Sequence, residues 1–129
     1  MPVAPLSIES ARKEEMDRRN IREIAMDFAV EIAEMCQGVK CNPSFINQLL
    51  RSSSSIGANS YEAKYAQSDA DFVSKYEIAL KECNETEYWL TFLYRRKAIT
   101  TEVFEKHRQT CSNLRRKIIA SIKTVKARM

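Results

Sequence analysis

Apolar residues along the chain recur with a helical period almost from end to end. Ile21, Ile24, Ala25, Phe28, Ile32, Met35 and Val39 fall on one narrow stripe at 100° per residue. Glu23, Asp27, Glu31 and Glu34 form an acidic ridge on the far side, and Gly38 is placed to supply a left-handed cap. Asn42 followed by Pro43 announces a second helix, an N-cap with proline at the first helical position. Its face is Ile46, Leu49, Leu50, Ser53, Ile56, Gly57, Ser60 and Ala63, half of it small residues. Ser53 and Gly57, four apart, predict close approach of a neighbouring backbone. Ser68 caps a third helix, with Asp69 and Asp71 favourable to its dipole, and the stripe runs Phe72, Tyr76, Ala79, Leu80, Cys83, Glu87, Leu90 and Tyr94. Thr100 caps a fourth, where Ile99 and Phe104 occupy the staple positions and Phe104, His107, Cys111, Leu114, Ile118, Ile122 and Val125 share a line. Short connections between four such helices predict an all-α, antiparallel up-down-up-down four-helix bundle over residues 20–129, preceded by a charged extension, 1–19.

Composition narrows the function classes. With 129 residues the chain is one domain, and two glycines leave no room for a glycine-rich phosphate loop. The net charge of +4 conceals a segregation. Residues 1–94 hold 10 Lys/Arg against 15 Asp/Glu, a net of −5, whereas residues 95–129 hold 11 Lys/Arg against two glutamates, a net of +9. Such asymmetry marks either an anionic partner or an acidic surface of the same protein.

No apolar run reaches the ~18 residues that span a bilayer, and the first residues lack the basic and apolar regions of a signal peptide, so a cytoplasmic protein is expected. Cys36, Cys41, Cys83 and Cys111 suit that compartment as free thiols, Cys36 and Cys41 being the one pair close in sequence. There is no CxxC pair, and His107 is the single histidine, so neither a metal nor a cofactor is expected. His107 lies on the core stripe with no nucleophile beside it and reads as a core histidine rather than a catalytic one.

Four carboxylates and amides on helices two and three need partners. Asn59, Glu62, Glu82 and Glu87 sit near or on packed faces, and a network with Arg51 and the serine hydroxyls would fix helix register. The competing reading is acid/base or bridged-metal chemistry, but bundle metal sites use Glu-x-x-His, and Phe104 stands where that motif needs a glutamate. Trp89 and Phe92 beside the third stripe, and Ile119 beside the fourth, either widen the core or anchor a subunit interface; the interface reading is preferred.

Leu49-Leu50-Arg51-Ser52, Ser55-Ile56-Gly57-Ala58-Asn59 and Glu62-Ala63 look like a bacterial family signature. Ala66-Gln67-Ser68, Asp71-Phe72, Ser74-Lys75, Ile78-Ala79-Leu80-Lys81-Glu82 and Glu85-Thr86-Glu87-Tyr88-Trp89-Leu90 continue it. The chain resembles the four helix bundle protein family, which includes the 23S rRNA intervening-sequence proteins, over about residues 20–125 and most densely over 49–93. The resemblance implies a small bundle assembled into a ring, commonly a pentamer, with no catalytic residues to carry over. A related branch, the accessory protein of diversity-generating retroelements, is a basic pentamer that binds nucleic acid and a reverse transcriptase.

The expected function is therefore non-enzymatic. Arg95, Arg96, Lys97, Arg108, Arg115, Arg116, Lys117, Lys123 and Lys126 spread positive charge over the solvent arc of the last helix, suited to phosphate backbones of RNA or DNA without base reading. The alternative is a homo-oligomeric scaffold that docks a protein partner, its basic helix neutralised by the acidic ridge of helix one.

Overall fold

The computed structural model describes residues 20–129; the charged extension 1–19 lies outside the described residues. Four helices and no strand occur among them: α1 (Ile21–Gln37), α2 (Pro43–Lys64), α3 (Asp69–Arg95) and α4 (Thr101–Lys126).

Each helix starts where a side chain can take up an orphan backbone N–H. Asn20 accepts from the Glu23 amide, Asn42 from that of Ser44, Ser68 from that of Asp71 and Thr100 from that of Val103. The cap at Asn20 is additional to the three expected. The expected left-handed cap at Gly38 does not form. Its φ is −97°, because α1 closes with tight i→i+3 bonds from the Gly38 and Val39 amides to the Met35 and Cys36 carbonyls.

Helices adjacent in sequence pack together, and α1 also packs on α4. Paired residues give the direction. Arg51 of α2 meets Glu82 of α3, while Glu62 further along α2 meets Lys75 earlier in α3. Between α3 and α4 the pairs are Glu87 with Arg115 and Glu77 with Lys126, again running in opposite directions. The order is up-down-up-down, as a chain with five-, four- and five-residue connections requires.

The core holds Ile24, Phe28 and Ile32 of α1, Leu49 and Ile56 of α2, Leu90 and Leu93 of α3, and Leu114 and Ile118 of α4. On α3 the buried face is rotated from the expected stripe. Val73, Glu82, Thr86 and Leu93 are buried, whereas Phe72, Leu80, Glu87 and Tyr94 sit at its margins. The small residues of α2 explain the rotation. Ser52 and Ser53 are buried, and Ser52 Oγ accepts a 3.0 Å bond from Thr86 Oγ1, which draws Thr86 into the interior. Gly57 rests on the Ala25 backbone, where an added Cβ would stand 3.6 Å from the carbonyl oxygen. The backbones are close, with room for one methyl group.

His107 is 3% exposed, its ring tilted against Phe28 at 6.3 Å. All four cysteines are free. Burial pushes the Cys36 thiol up to about 11, and hydrogen bonding with Cys83, reinforced by burial, raises that of Cys111, so both stay protonated and unreactive near neutrality.

Candidate nucleic-acid interface

The nine cations expected to contact phosphate divide into groups with different surroundings. Of the three held by a carboxylate, Arg115 is the most enclosed. Its guanidinium donates to the Glu87 carboxylate across the α3–α4 seam, and its Nε donates to Asn84 Oδ1 at 3.1 Å. Lys126 stands 3.2 Å from Glu77, and Arg108 is held by Glu105 one turn earlier on α4 at 2.8 Å. Arg128, outside the expected set, binds Asp69 at 3.0 Å and holds that carboxyl below its ordinary value. Arg116 donates to Asn113 at 2.9 Å. Lys117 lies half-buried on the opposite flank, and Lys123 is exposed.

Asp69, Glu77 and Glu87 of α3 thus each hold one cation of the C-terminal region. Within the acidic ridge of α1, Glu31 and Glu34 form no ion pair among the described residues. The register accounts for this: α3 places an acidic residue about every two turns along the edge that faces α4.

Arg95, Arg96 and Lys97 differ from all of these. They form the end of α3 and the start of the connection to α4, are exposed, and have no carboxylate partner among the described residues. The backbone beneath them is a Schellman motif. The Ala98 amide donates to the Leu93 carbonyl and the Lys97 amide to that of Tyr94, both at 2.9 Å, while Ala98 packs on the core. Lys97 has φ 60°, the one positive φ among the described non-glycine residues. Glycine is the usual occupant of that position, and a side chain there costs about 1–2 kcal/mol. The sequence signal was the Arg-Arg-Lys run directly before the Ile99–Thr100 start of α4.

The expected polar network does not form as one layer. Glu82, 8% exposed, receives Arg51 at 3.3 Å, and Arg51 also binds Glu85. Glu62 pairs with Lys75 at 3.1 Å, nearer the other end of the same seam. Asn59 donates to the Ser55 carbonyl of its own helix at 2.8 Å. Glu87 faces α4 rather than α2. Four separate contacts replace the layer because these residues lie at different heights and on both flanks of α3.

Trp89 and Phe92 come together, but around Phe45 of α2, at ring distances of 6.0 and 4.6 Å. Both are half-buried against the core, and Ile119 is half-buried on α4. Large apolar side chains that are more exposed lie elsewhere, among them Met26, Tyr61, Tyr65 and Tyr88. Met26 was hidden from a periodicity argument because it stands among the charged residues of α1, off its core stripe.

Among the described residues, no group of three His, Cys, Asp or Glu gathers at metal-binding distance, and no helix is long and apolar enough to cross a membrane.

The family model for 23S rRNA-intervening sequence proteins matches residues 18–120. The chain belongs to the 23S rRNA-intervening sequence protein family. A solved member of the S23 ribosomal protein family from Bacteroides thetaiotaomicron VPI-5482, of unknown function, shares the fold with a TM-score of 0.76 and 40% identity. The match covers 81% of this chain and 99% of that one. No curated protein matches. In this intervening-sequence family member, cations are tied down along the α3–α4 seam, whereas those at the α3–α4 turn have no carboxylate partner among the described residues.

Proposed function

We propose that this family member is a cytoplasmic, non-enzymatic, homo-oligomeric bundle, a ring of five by the resemblance, that holds RNA or DNA nonspecifically through phosphate contacts. The observation that carries the reading is the α3–α4 turn, where Arg95, Arg96 and Lys97 are exposed without carboxylate partners among the described residues, on a connection that holds Lys97 left-handed. A strained residue flanked by unneutralised cations is a feature expected of a binding surface more than of a linker. Lys123, and Lys106 on the opposite flank, extend the positive surface along α4. Arg108, Arg115 and Lys126 contribute little to this surface, since each already has a carboxylate partner. Repeated around a ring, the turns give many weak phosphate contacts whose counterion release makes affinity steeply salt-dependent.

The second reading is a scaffold that docks a protein without nucleic acid, and the seam pairs Arg115–Glu87, Lys126–Glu77 and Arg128–Asp69 favour it by consuming basic charge. Fluorescence anisotropy of labelled RNA and DNA oligonucleotides with nuclease-treated protein separates the two. Phosphate binding predicts retention of both at low salt and loss on raising it; no retention of either at low salt leaves the scaffold.

A further inference from the structure

Seven residues make two helical turns less about 20°, so Lys81, Tyr88 and Arg95 fall almost on one straight line along α3. All three are exposed, and each step along the line is about 10 Å by helical rise. Tyr88 is 60% exposed, and its ring meets that of Trp89 edge-on at 5.0 Å. A contact of that geometry covers at most one face of the tyrosine. The brace is itself fixed. Trp89 stacks on Phe45 at 6.0 Å, meets Phe92 at 5.3 Å and donates its N–H to Glu85. Tyr88 is thus held against a packed aromatic cluster, with little side-chain freedom left to lose when another ring stacks on it.

The charge along this line is positive in effect. The carboxylates beside Tyr88 on α3 are occupied, Glu85 by Arg51 and Glu87 by Arg115. The cations are not. Arg95 has no carboxylate partner among the described residues, and Lys81 forms no ion pair there, reaching Glu85 only through its longer-range charge. The other exposed tyrosines lack this setting, since Tyr61 leans on Tyr65 at 5.4 Å and Lys64 Nζ lies over the Tyr65 ring at 5.5 Å. An open aromatic face between two unneutralised cations suits a chain that carries both phosphates and unstacked bases. Duplex bases are already stacked on one another and paired, whereas every base of a single strand can offer a π-face.

We propose that the line Lys81–Tyr88–Arg95 is a track for single-stranded nucleic acid, in which Tyr88 stacks on a base while Arg95 and Lys81 hold phosphates to either side. The inference rests on the phosphate-contact reading above and deepens it by naming the strand state. Charge alone would favour a duplex, whose phosphates are about twice as dense along the axis, so a preference for single strands reports stacking. The test is fluorescence anisotropy at low salt with a short labelled DNA strand of mixed sequence, alone and annealed to its complement. The proteins are the wild type, Tyr88→Phe and Tyr88→Leu, with helicity checked by circular dichroism. The wild type is expected to prefer the single strand. Tyr88→Phe keeps the π-face and is expected to keep that affinity within about twofold. Tyr88→Leu keeps an apolar side chain against Trp89 without a π-face. It is expected to lose about fivefold or more for the single strand, with duplex affinity unchanged within about twofold. Binding of neither form by the wild type overturns this proposal together with the phosphate-contact reading beneath it. Equal wild-type affinity for the two forms overturns the track alone. So does an unchanged single-strand affinity in Tyr88→Leu, an equal loss for both forms, or a loss in Tyr88→Phe as large as that in Tyr88→Leu.

Discussion

Arg115 of α4 binds Glu87 of α3 across a half-buried seam, with Asn84 accepting from the Nε of the same guanidinium at 3.1 Å. A cation fixed by two atoms of a neighbouring helix has a structural task. Arg115→Ala is therefore expected to lower stability by about 1–2 kcal/mol, more than an exposed pair would, since the charge-assisted bonds are partly shielded from water. Chemical denaturation of the single and double variants with Glu87→Ala gives the coupling directly. A coupling near zero would return Arg115 to the surface set.

Lys97 offers a test of the opposite sign. Replacing it with glycine removes the steric cost of φ 60° while keeping the Schellman hydrogen bonds. A gain of about 1 kcal/mol is expected, discounted a little for the greater freedom of glycine in the unfolded chain. Lys97→Val, β-branched in a left-handed position, should instead cost more than 1 kcal/mol. Thermal melts of the pair decide whether the turn is strained.

Within the core, Ser52 and Thr86 should respond unequally. Ser52 Oγ donates to the Leu49 carbonyl at 3.2 Å and accepts from Thr86. Thr86→Val keeps shape and leaves Ser52 still donating, for a cost of about 1 kcal/mol, whereas Ser52→Ala strands a buried hydroxyl and opens a small gap, for about 1–3 kcal/mol. Urea titration would show the order; a larger loss for Thr86→Val would contradict it.

Acid sensitivity follows from Glu85. The hydrogen bond from Arg51, assisted by Arg51 charge, the Trp89 N–H and Lys81 and partly opposed by burial, holds its carboxyl below the ordinary 4.5. Because the folded value is the lower one, the stability it contributes is present above 4.5 and is lost as pH falls through the folded value. Glu85→Gln should lower the Tm slightly at pH 7, by the few tenths to 1 kcal/mol of an exposed pair, and flatten the acid limb. Equal acid limbs in both proteins would remove Glu85 from the account.

The helices and their order were legible in the sequence because the signals were redundant. Asn42-Pro43, Ser68 and Thr100 marked starts, and the stripes of α1 and α4 marked buried faces. The face of α3 differs from its apolar stripe because Thr86 and Glu82 are polar yet interior, admitted by the small Ser52 and the cation of Arg51 on the facing helix. A one-dimensional pattern does not show that compensation. Likewise the basic arc was plain from composition, but its division was not. Which cations are neutralised depends on the antiparallel register of α3 against α4, and that register brings Glu77 and Glu87, rather than Glu31 and Glu34, to the basic helix. Met26 and Tyr61 line one pocket only once α1 and α2 are packed together.

The central claim is that the α3–α4 turn contacts phosphate while the seam cations hold the bundle together. Its most direct test is the salt dependence of oligonucleotide affinity for the wild type, for Arg95→Gln/Arg96→Gln/Lys97→Asn and for Arg115→Ala, each at a known oligomeric state. The turn variant, in which asparagine tolerates the left-handed position, is expected to fold normally and to lose about one unit of log–log slope for each cation that contacts phosphate. Arg115→Ala is expected to keep the wild-type slope and lose stability. An unchanged slope in the turn variant, together with a reduced one in Arg115→Ala, would contradict the account.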